Sequence, residues 1–263
     1  MLFYKDLTFN FQAYWSFKRR AANSIRGSLS LGAALALMAG VLFWPLATLA
    51  ETYKVSVGEM PATLIFVEIL KSIEAANPGL KFELTVAPFA RSIQAVLADH
   101  TADFHYPVIR PAGGKTLPFD VSDASPFQTP FIIYENKNKL LDVKNLQRYR
   151  IETEITHIGL FPFPTIGSAD ISSSLHRVDT GRIDGFVYGA TSADRKLIEG
   201  GFENIHRKLY AMMDVCFVLP KGGKGGPVDQ ALTKAIETAK STEGFKHATA
   251  KYRAMYKGDD WQQ

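Results

Sequence analysis

The 263-residue sequence has a single cysteine, Cys216, and therefore no internal disulfide. Cys216 lies in the apolar run from Val215 to Leu219, which favours a buried small side chain over a reactive thiol. A small scaffold held together by disulfides is excluded, so the fold must depend on a hydrophobic core. With 46% hydrophobic and 21% charged residues, the composition also argues against a disordered chain.

The sequence also lacks the common metal and nucleophile motifs. Its six histidines are scattered, with neither an i,i+4 pair beside a carboxylate nor a His/Cys cluster, so no metal and no cofactor are predicted. It contains no Gly-x-Ser-x-Gly elbow. The stretch from Lys221 to Gly226 lacks the Gly-Lys-Ser/Thr ending of a phosphate loop, which favours a plain connecting loop. Acid–base catalysis stays open, because it needs only two well-placed carboxylates.

Most of the chain, residues 51–263, carries no net charge. Residues 1–50 carry five basic residues and one acidic residue, and these account for the whole net charge of +4. Residues 51–263 carry 25 residues of each sign. A body without net positive charge does not favour a nucleic-acid partner, so none is predicted.

The first fifty residues have the pattern of an export signal. The basic residues Lys18, Arg19 and Arg20 precede an uncharged run from Leu29 to Leu49, and the segment ends in small residues at Ala50. Cleavage after Ala50 is the expected outcome. The apolar run is also long enough for a membrane span, so an uncleaved anchor is the alternative. Either interpretation predicts that the remaining chain is exported.

Strands and helices alternate from Tyr53 onward. Periodicity and turn residues predict strands at 53–57, 80–86 and 102–109, with helices at 62–76 and about 89–99 between them. Two strand–helix units followed by a strand predict a parallel sheet with right-handed crossovers, and therefore an α/β body. Further strands are predicted at 149–155, at 186–188 and around Cys216, and further helices at 168–180, 192–198, 228–240 and 242–256.

Aromatic and cationic residues follow two of the predicted strands. Phe89 and Arg91 come just after the second strand, and Tyr106 and Arg110 lie at the end of the third. The carboxyl ends of parallel strands share one edge of a sheet, where ligands bind. A guanidinium offers a planar fork to an anion, while a ring packs on an apolar part of the ligand. A surface ion pair for Arg91 and a core position for Phe89 are the alternatives.

Short motifs follow one another through residues 51–263 in a fixed order: Tyr53–Gly58, Pro88-Phe89-Ala90-Arg91, Ala102-Asp103-Phe104, Phe119-Asp120-Val121-Ser122, Phe131–Asn136, Gly181-Arg182-Ile183-Asp184-Gly185, Phe217–Gly222 and Glu243-Gly244-Phe245. Each motif is weak alone, but their order and spacing are fairly specific. The chain resembles the bacterial periplasmic solute-binding proteins of the polar-amino-acid type, family 3.

The resemblance implies an α/β fold with the two-lobe, type II periplasmic-binding-protein architecture and a hinge of two crossover strands. Lobe 1 would comprise residues 51–127 and 216–263, and lobe 2 residues 128–215. The lobes would close on a small-molecule ligand by hinge motion. Such proteins are periplasmic monomers that deliver their ligand to a membrane permease of the ABC type or to a sensor.

The sequence departs from this family where the ligand is expected. Arg110 has Pro107 three positions earlier and no Thr nearby, unlike the arginine that holds the α-carboxylate in amino-acid binders. Gly189 occupies the position five after Asp184, where the family's ammonium-binding Asp is expected, and Asp184 itself is expected to shape a turn. An ammonium without a carboxylate partner would be costly in a closed cleft. We therefore predict an organic anion, an aromatic compound or another small metabolite, and not a standard α-amino acid.

The second lobe is expected to contribute residues from 156–168 and from the strand near 188. Backbone N–H groups near Ser168, at a predicted helix start, are candidates to receive an anion. Phe161 has a core position as its alternative. The complete set of predicted ligand contacts is Glu59, Phe89, Arg91, Tyr106, Arg110, Phe127, His157, Phe161, Thr165, Ser168 and Tyr188.

Two other functions stay open at this point. A dehydratase or lyase on the same two-lobe body would need a general acid, for which Glu59 is the best-placed carboxylate. A sensor domain that stays anchored in the membrane would keep the apolar run of residues 29–49.

Overall fold

The computed structural model describes residues 50–112 and 116–256. The predicted signal or anchor segment, residues 1–49, lies outside the described residues, as do positions 113–115 and 257–263. Among the described residues, no helix is both long enough and apolar enough to cross a membrane.

The described chain begins with two strand–helix units and a third strand, as the sequence predicts. Their bounds are β1 Glu51–Glu59, α1 Thr63–Ala76, β2 Leu80–Pro88, α2 Phe89–Leu97 and β3 Phe104–Ile109. The strand β1 pairs in parallel with both β2 and β3, which confirms the predicted parallel arrangement. Tyr53, Val55 and Val57 of β1 are buried in the first core, which explains why this segment forms a strand packed on it.

The middle of the chain supplies a second parallel group. The bounds are β4 Asp120–Val121, β5 Phe127–Asn136, β6 Ile151–Glu154, β7 Ile166–Ser168, α3 Ile171–Asp179, β8 Gly185–Gly189, α4 Ala190–Gly200 and β9 Ile205–Leu219, with short 3₁₀ segments at Val143–Arg148 and Ile155–His157. The strand β6 pairs in parallel with β7 and β8. Two helices follow, α5 Pro227–Lys240 and α6 Glu243–Arg253.

The long strands β5 and β9 connect the two parallel groups. They form an antiparallel ladder from Phe127 opposite Val215 to Asn136 opposite Ile205. In the sheet order β2-β1-β3-β9-β5-β8-β6-β7 they occupy the middle. Of this pair the sequence predicts only a strand around Cys216, because β5 is buried at nearly every position and so has no alternation to mark its ends.

The hydrophobic cores lie on either side of these two strands. One cluster draws on residues 53–127 and 215–252, and two others draw on residues 131–213. The molecule therefore has a first lobe, built on β1–β3, α1, α2, α5 and α6, and a second lobe, built on β6–β8, α3 and α4. This is the predicted α/β architecture with two lobes and two crossover strands.

Candidate ligand-binding site

The carboxyl ends of β1 and β2 form the edge of the first lobe that carries Glu59 and Phe89. Glu59 is exposed and lies opposite Pro88 in the parallel ladder, so Phe89 follows directly at the same edge. A Cβ atom at Gly58 would lie 2.7 Å from Cδ2 of Phe89, which shows how closely the ring covers the end of β1. The ring also packs edge-on against His105, with centroids 5.1 Å apart.

His105, on β3, is completely buried and hydrogen-bonded through both ring nitrogens. Its Nδ1 lies 2.6 Å from the hydroxyl oxygen of Ser92, which lies 2.7 Å from that of Ser56. Its Nε2 lies 3.1 Å from the carbonyl oxygen of Pro107. A carbonyl only accepts, so Nε2 donates and Nδ1 accepts from Ser92. Burial lowers the pKa of His105 to about 4, so the ring is neutral at physiological pH.

The two predicted cations of the first lobe differ in their surroundings. Arg110 donates from Nε to Oδ2 of Asp214 at 3.0 Å and from a terminal nitrogen to the carbonyl oxygen of Asp123 at 3.2 Å. The Asp123 carboxylate lies 3.6 Å from its other terminal nitrogen. Arg91 is exposed, on the first turn of α2. The structure thus commits Arg110 to two aspartates of the protein and leaves Arg91 facing solvent.

Tyr106 and Phe127 lie in the core of the first lobe. The Tyr106 ring stacks on Phe217 at 4.7 Å and meets Phe66 edge-on at 5.4 Å. The Phe127 ring lies 4.7 Å from that of Tyr252. Burial raises the pKa of Tyr106 well above its ordinary value, and its buried hydroxyl has no hydrogen-bond partner among the described residues. Both side chains therefore support the first-lobe edge from within the core, because their rings are already packed against other aromatic rings.

The second lobe presents an aromatic corner, which we define as Phe131, His157 and Tyr188, at the carboxyl ends of its parallel strands. The His157 ring lies 4.9 Å from Tyr188 and 5.6 Å from Phe131, and Phe131 lies 6.4 Å from Tyr188. The structure therefore brings together two predicted contacts, His157 and Tyr188, that lie 31 positions apart in the sequence.

His157 is the incompletely satisfied member of the aromatic corner. Its Nδ1 is buried and has no hydrogen-bond partner among the described residues. Burial lowers the pKa of His157 to about 4, although the nearby Glu154 carboxylate acts in the opposite direction. Burial likewise raises the pKa of Tyr188. The corner is therefore uncharged near neutral pH.

The remaining predicted contacts of the second lobe differ in exposure. Phe161 is buried between Phe131, Phe163 and Tyr210, with ring centroids 5.9, 5.4 and 5.6 Å away, so it belongs to the core, which was its alternative. Thr165 is half-buried in the loop before β7.

The helix start near Ser168 already holds an anion of the protein itself. Asp170 is the N-cap of α3 and accepts from the backbone N–H of Ser173 at 2.6 Å. The Ser168 hydroxyl donates to the Asp170 carbonyl oxygen at 3.1 Å and accepts from Arg177 at 3.1 Å. The expected anion position at this helix start is thus occupied by the Asp170 carboxylate.

The glycine-rich loop at 221–226 and the turn at Asp184, both predicted to have structural roles, are held by aspartate side chains. Asp120 accepts from the backbone N–H of Gly222 at 2.8 Å, and Asp229 accepts from that of Gly225 at 2.8 Å. The N–H groups of this glycine-rich loop are therefore partly used by the protein itself. Asp184 accepts from the backbone N–H of Arg150 at 2.7 Å, which ties its turn to the start of β6.

Two contacts join the lobes near the candidate site. The backbone N–H of Ala112, just after Arg110, donates to the Leu160 carbonyl oxygen at 2.8 Å, so the loops carrying Arg110 and His157 touch. The Tyr252 hydroxyl, from α6, lies 3.1 Å from that of Thr129 and 3.3 Å from that of Thr191. Sequence reasoning missed these hydroxyls, because helical spacing marks Tyr252 as core and no local pattern indicates its distant partners.

No family model and no curated protein matches this chain. It is similar in structure to the ligand-binding core of GluR0 from Nostoc punctiforme in complex with L-glutamate, at 13% identity and a TM-score of 0.53, covering 76% of this chain and 98% of that one. It is also similar to a probable amino-acid ABC transporter extracellular-binding protein from Bacillus subtilis, at 16% identity and a TM-score of 0.51, covering 77% and 98%.

A histidine kinase sensor domain with similarity to periplasmic binding proteins is a further structural neighbour, at 11% identity and a TM-score of 0.54, covering 78% of this chain and 96% of that one. These neighbours are binding proteins and sensor domains, and their identities to this chain are low enough that the likeness concerns the fold alone. Together with the two lobes and two crossover strands, they show that the chain has the type II periplasmic-binding-protein fold.

Proposed function

We propose that the chain is a periplasmic solute-binding protein that captures a small polar or anionic metabolite between its two lobes. Lobe 1 would comprise residues 51–127 and 216–263, and lobe 2 residues 128–215. The protein would act as a monomer and deliver its ligand to an ABC-type permease or to a sensor. The fold supports the proposal, because its structural neighbours include both a transporter binding protein and a sensor domain.

The observation that carries the proposal is the meeting of the two strand-end edges. Glu59, Phe89 and Arg91 lie at the edge of the first lobe, and His157 and Tyr188 lie at that of the second. The hydrogen bond from Ala112 to Leu160 joins the loops that follow these edges. Ligands of open α/β folds bind at the carboxyl ends of the strands, so both lobes can contact one small molecule.

A standard α-amino acid is a poor match for this cleft. Gly189 has no carboxylate to offer an ammonium group, and Arg110 is already paired with Asp214. Burying an ammonium without a partner is unfavourable. Arg91 is the exposed cation of the first-lobe edge and is our candidate to contact an anionic group of the ligand.

Thermal unfolding of the full chain across a metabolite panel tests this function. A ligand that binds only the native state raises its stability by about 2.7 kcal/mol at 100 times Kd. We expect a shift with organic acids or aromatic metabolites and none with standard amino acids. A flat response to every class would contradict the proposal.

Gly189→Asp is a companion variant for the same panel. Gly189 has an extended backbone with φ −64°, and its added Cβ would lie 3.8 Å from Phe131, an ordinary contact. The variant restores a carboxylate at the expected ammonium position and should respond to amino acids more than the natural chain does. An amino acid that binds the natural chain as tightly as it binds the variant would contradict the exclusion of amino acids.

A further inference from the structure

The aromatic corner combines aromatic rings with a buried polar atom, Nδ1 of His157, that has no hydrogen-bond partner among the described residues. Phe131, His157 and Tyr188 lie within 6.4 Å of one another by ring centroid. Nδ1 of His157 is buried, and no hydrogen-bond partner for it occurs in residues 50–112 and 116–256. Buried polar atoms in folded proteins nearly always have partners, so an unsatisfied one in the wall of a binding cleft calls for a specific explanation.

The location of the corner connects the unsatisfied atom to the ligand. His157 ends the 3₁₀ segment that follows β6, and Tyr188 lies near the end of β8, so both stand at the edge that faces the cleft. The His157 loop also touches the first lobe through the hydrogen bond between Ala112 and Leu160. A group held between the lobes would therefore be within reach of this corner.

Charge around the corner favours a donor over an anion. The Glu154 carboxylate lies close enough to influence the pKa of both His157 and Tyr188. Glu154 accepts hydrogen bonds from the backbone N–H and the hydroxyl of Thr156. Arg177, a basic residue of the same lobe, is paired with Glu152. A negatively charged group beside the corner would be repelled by the Glu154 carboxylate.

We propose that the ligand places an aromatic or heteroaromatic ring in the corner and donates an uncharged N–H or O–H group to Nδ1 of His157. The ring packs on Tyr188, which the buried Phe131 supports from within the lobe, since aromatic pairs gain from offset or edge-to-face contact. Any anionic group lies at the other end of the ligand, towards Arg91. This inference rests on the proposed solute-binding function and specifies the chemistry of its ligand.

Three probes of similar size separate the features of this proposal. Nicotinamide has an aromatic ring and an uncharged N–H donor, nicotinate has the same ring with a carboxylate, and cyclohexanecarboxamide has the donor without the aromatic ring. Titration calorimetry of the purified full chain measures each Kd. We expect nicotinamide to bind at least about tenfold more tightly than either of the other two, a difference of about 1.4 kcal/mol.

Matched variants assign the effect to His157. His157→Phe keeps a ring and removes both ring nitrogens, Nδ1 among them, so the preference for nicotinamide over nicotinate should shrink to the part that the Glu154 charge contributes. His247→Phe makes the same change at an exposed position of α6 and should leave all three affinities unchanged. Should His157→Phe fail to fold, His157→Gln keeps a polar side chain without the ring and should weaken nicotinamide binding by a smaller factor.

The outcomes distinguish this inference from the function on which it rests. Nicotinate binding as tightly as nicotinamide, or an unchanged preference in His157→Phe, overturns the inference. So does a response to aliphatic organic acids with none to the three probes, an outcome that leaves the solute-binding function standing. No response to any compound of either set overturns both.

Discussion

Two histidines, the fully buried His105 in the first lobe and the half-buried His157 in the second, differ in how many of their ring nitrogens have a hydrogen-bond partner. His105 in the first lobe and His157 in the second each have a pKa lowered to about 4, chiefly because burial disfavours the charged imidazolium. His105 has a hydrogen-bond partner on both ring nitrogens, whereas Nδ1 of His157 has none among the described residues. The histidine of the first lobe thus has all of its hydrogen bonds within the fold, whereas the histidine of the second lobe keeps one ring nitrogen without a partner among the described residues.

The strand-end edges around the two histidines differ in the same way as the histidines themselves. In the first lobe, Ser56 and Ser92 complete the network of His105, and Arg110 is paired with Asp214 and Asp123. In the second lobe, the aromatic corner retains the hydrogen-bonding capacity of His157. We infer that polar groups below the first-lobe edge mainly maintain the fold, whereas the second-lobe edge keeps capacity for a ligand.

Replacing His105, the histidine with a partner on both ring nitrogens, should have the largest effect on stability. His105→Phe removes both hydrogen bonds of the ring, leaves the Ser92 hydroxyl and the Pro107 carbonyl without it, and adds volume to a packed site. We expect a loss of about 3–4 kcal/mol in the free energy of unfolding, measured by urea titration with circular dichroism. His247→Phe, at an exposed position, should change it by less than about 0.5 kcal/mol.

His157→Phe is the matched test of the comparison. It keeps a ring of similar shape, and of the two nitrogens that it removes the buried Nδ1 has no partner among the described residues, so the expected loss is below about 1 kcal/mol. A loss as large as that of His105→Phe would break the comparison, because it would make His157 a structural residue of the same kind.

Acid should weaken the protein through both histidines. The native pKa values near 4 lie below the ordinary value of 6.5, so the unfolded chain binds the extra protons between those two pH values. The stabilisation is fully present above about pH 6.5 and is lost as the pH falls towards 4, by up to about 3 kcal/mol for each residue. His157→Phe should lower this loss by one residue's share, which urea titrations at about pH 7 and about pH 5 would measure.

The fold could be predicted largely because its signals are local. Alternation in β1 and helical spacing in α1 and α2 fall within single elements, and the order of short motifs indicates two lobes. The full lengths of β5 and β9 could not be predicted, since their partners lie up to 88 positions away, as for Phe127 and Val215.

The candidate site was harder to predict because its polar partners are distant in sequence. Arg110 and Asp214, 104 positions apart, meet only after β3 and β9 pair. Sequence reasoning identified His157 and Tyr188 as candidates, but their contact and the unsatisfied Nδ1 depend on tertiary packing. Local sequence patterns therefore indicate which residue types are present, and long-range pairing decides which of their polar groups remain available to bind a ligand.

Tyr252 offers a smaller test at the junction between the lobes. Tyr252→Phe keeps the ring packed on Phe127 and removes the hydroxyl that lies between Thr129 and Thr191. We expect a loss of about 1 kcal/mol in the free energy of unfolding, because two buried threonine hydroxyls lose a partner. Tyr149→Phe removes a hydroxyl that accepts from the exposed backbone N–H of Asp142 and should therefore cost less. Equal costs would mean that the Tyr252 hydroxyl stabilises the fold no more than the Tyr149 hydroxyl does.

Arg91 provides the smallest expected effect and the sharpest separation of stability from binding. It is exposed in the first turn of α2, where a cation is unfavourable to the helix dipole, so Arg91→Gln should change the free energy of unfolding by less than about 0.5 kcal/mol. Arg110→Gln, which breaks the pair with Asp214, should cost about 1 kcal/mol. If Arg91 contacts the anionic end of the ligand, its variant weakens binding while stability stays unchanged. Unchanged binding would instead make Arg91 an ordinary surface residue and remove our candidate for the contact with an anionic group.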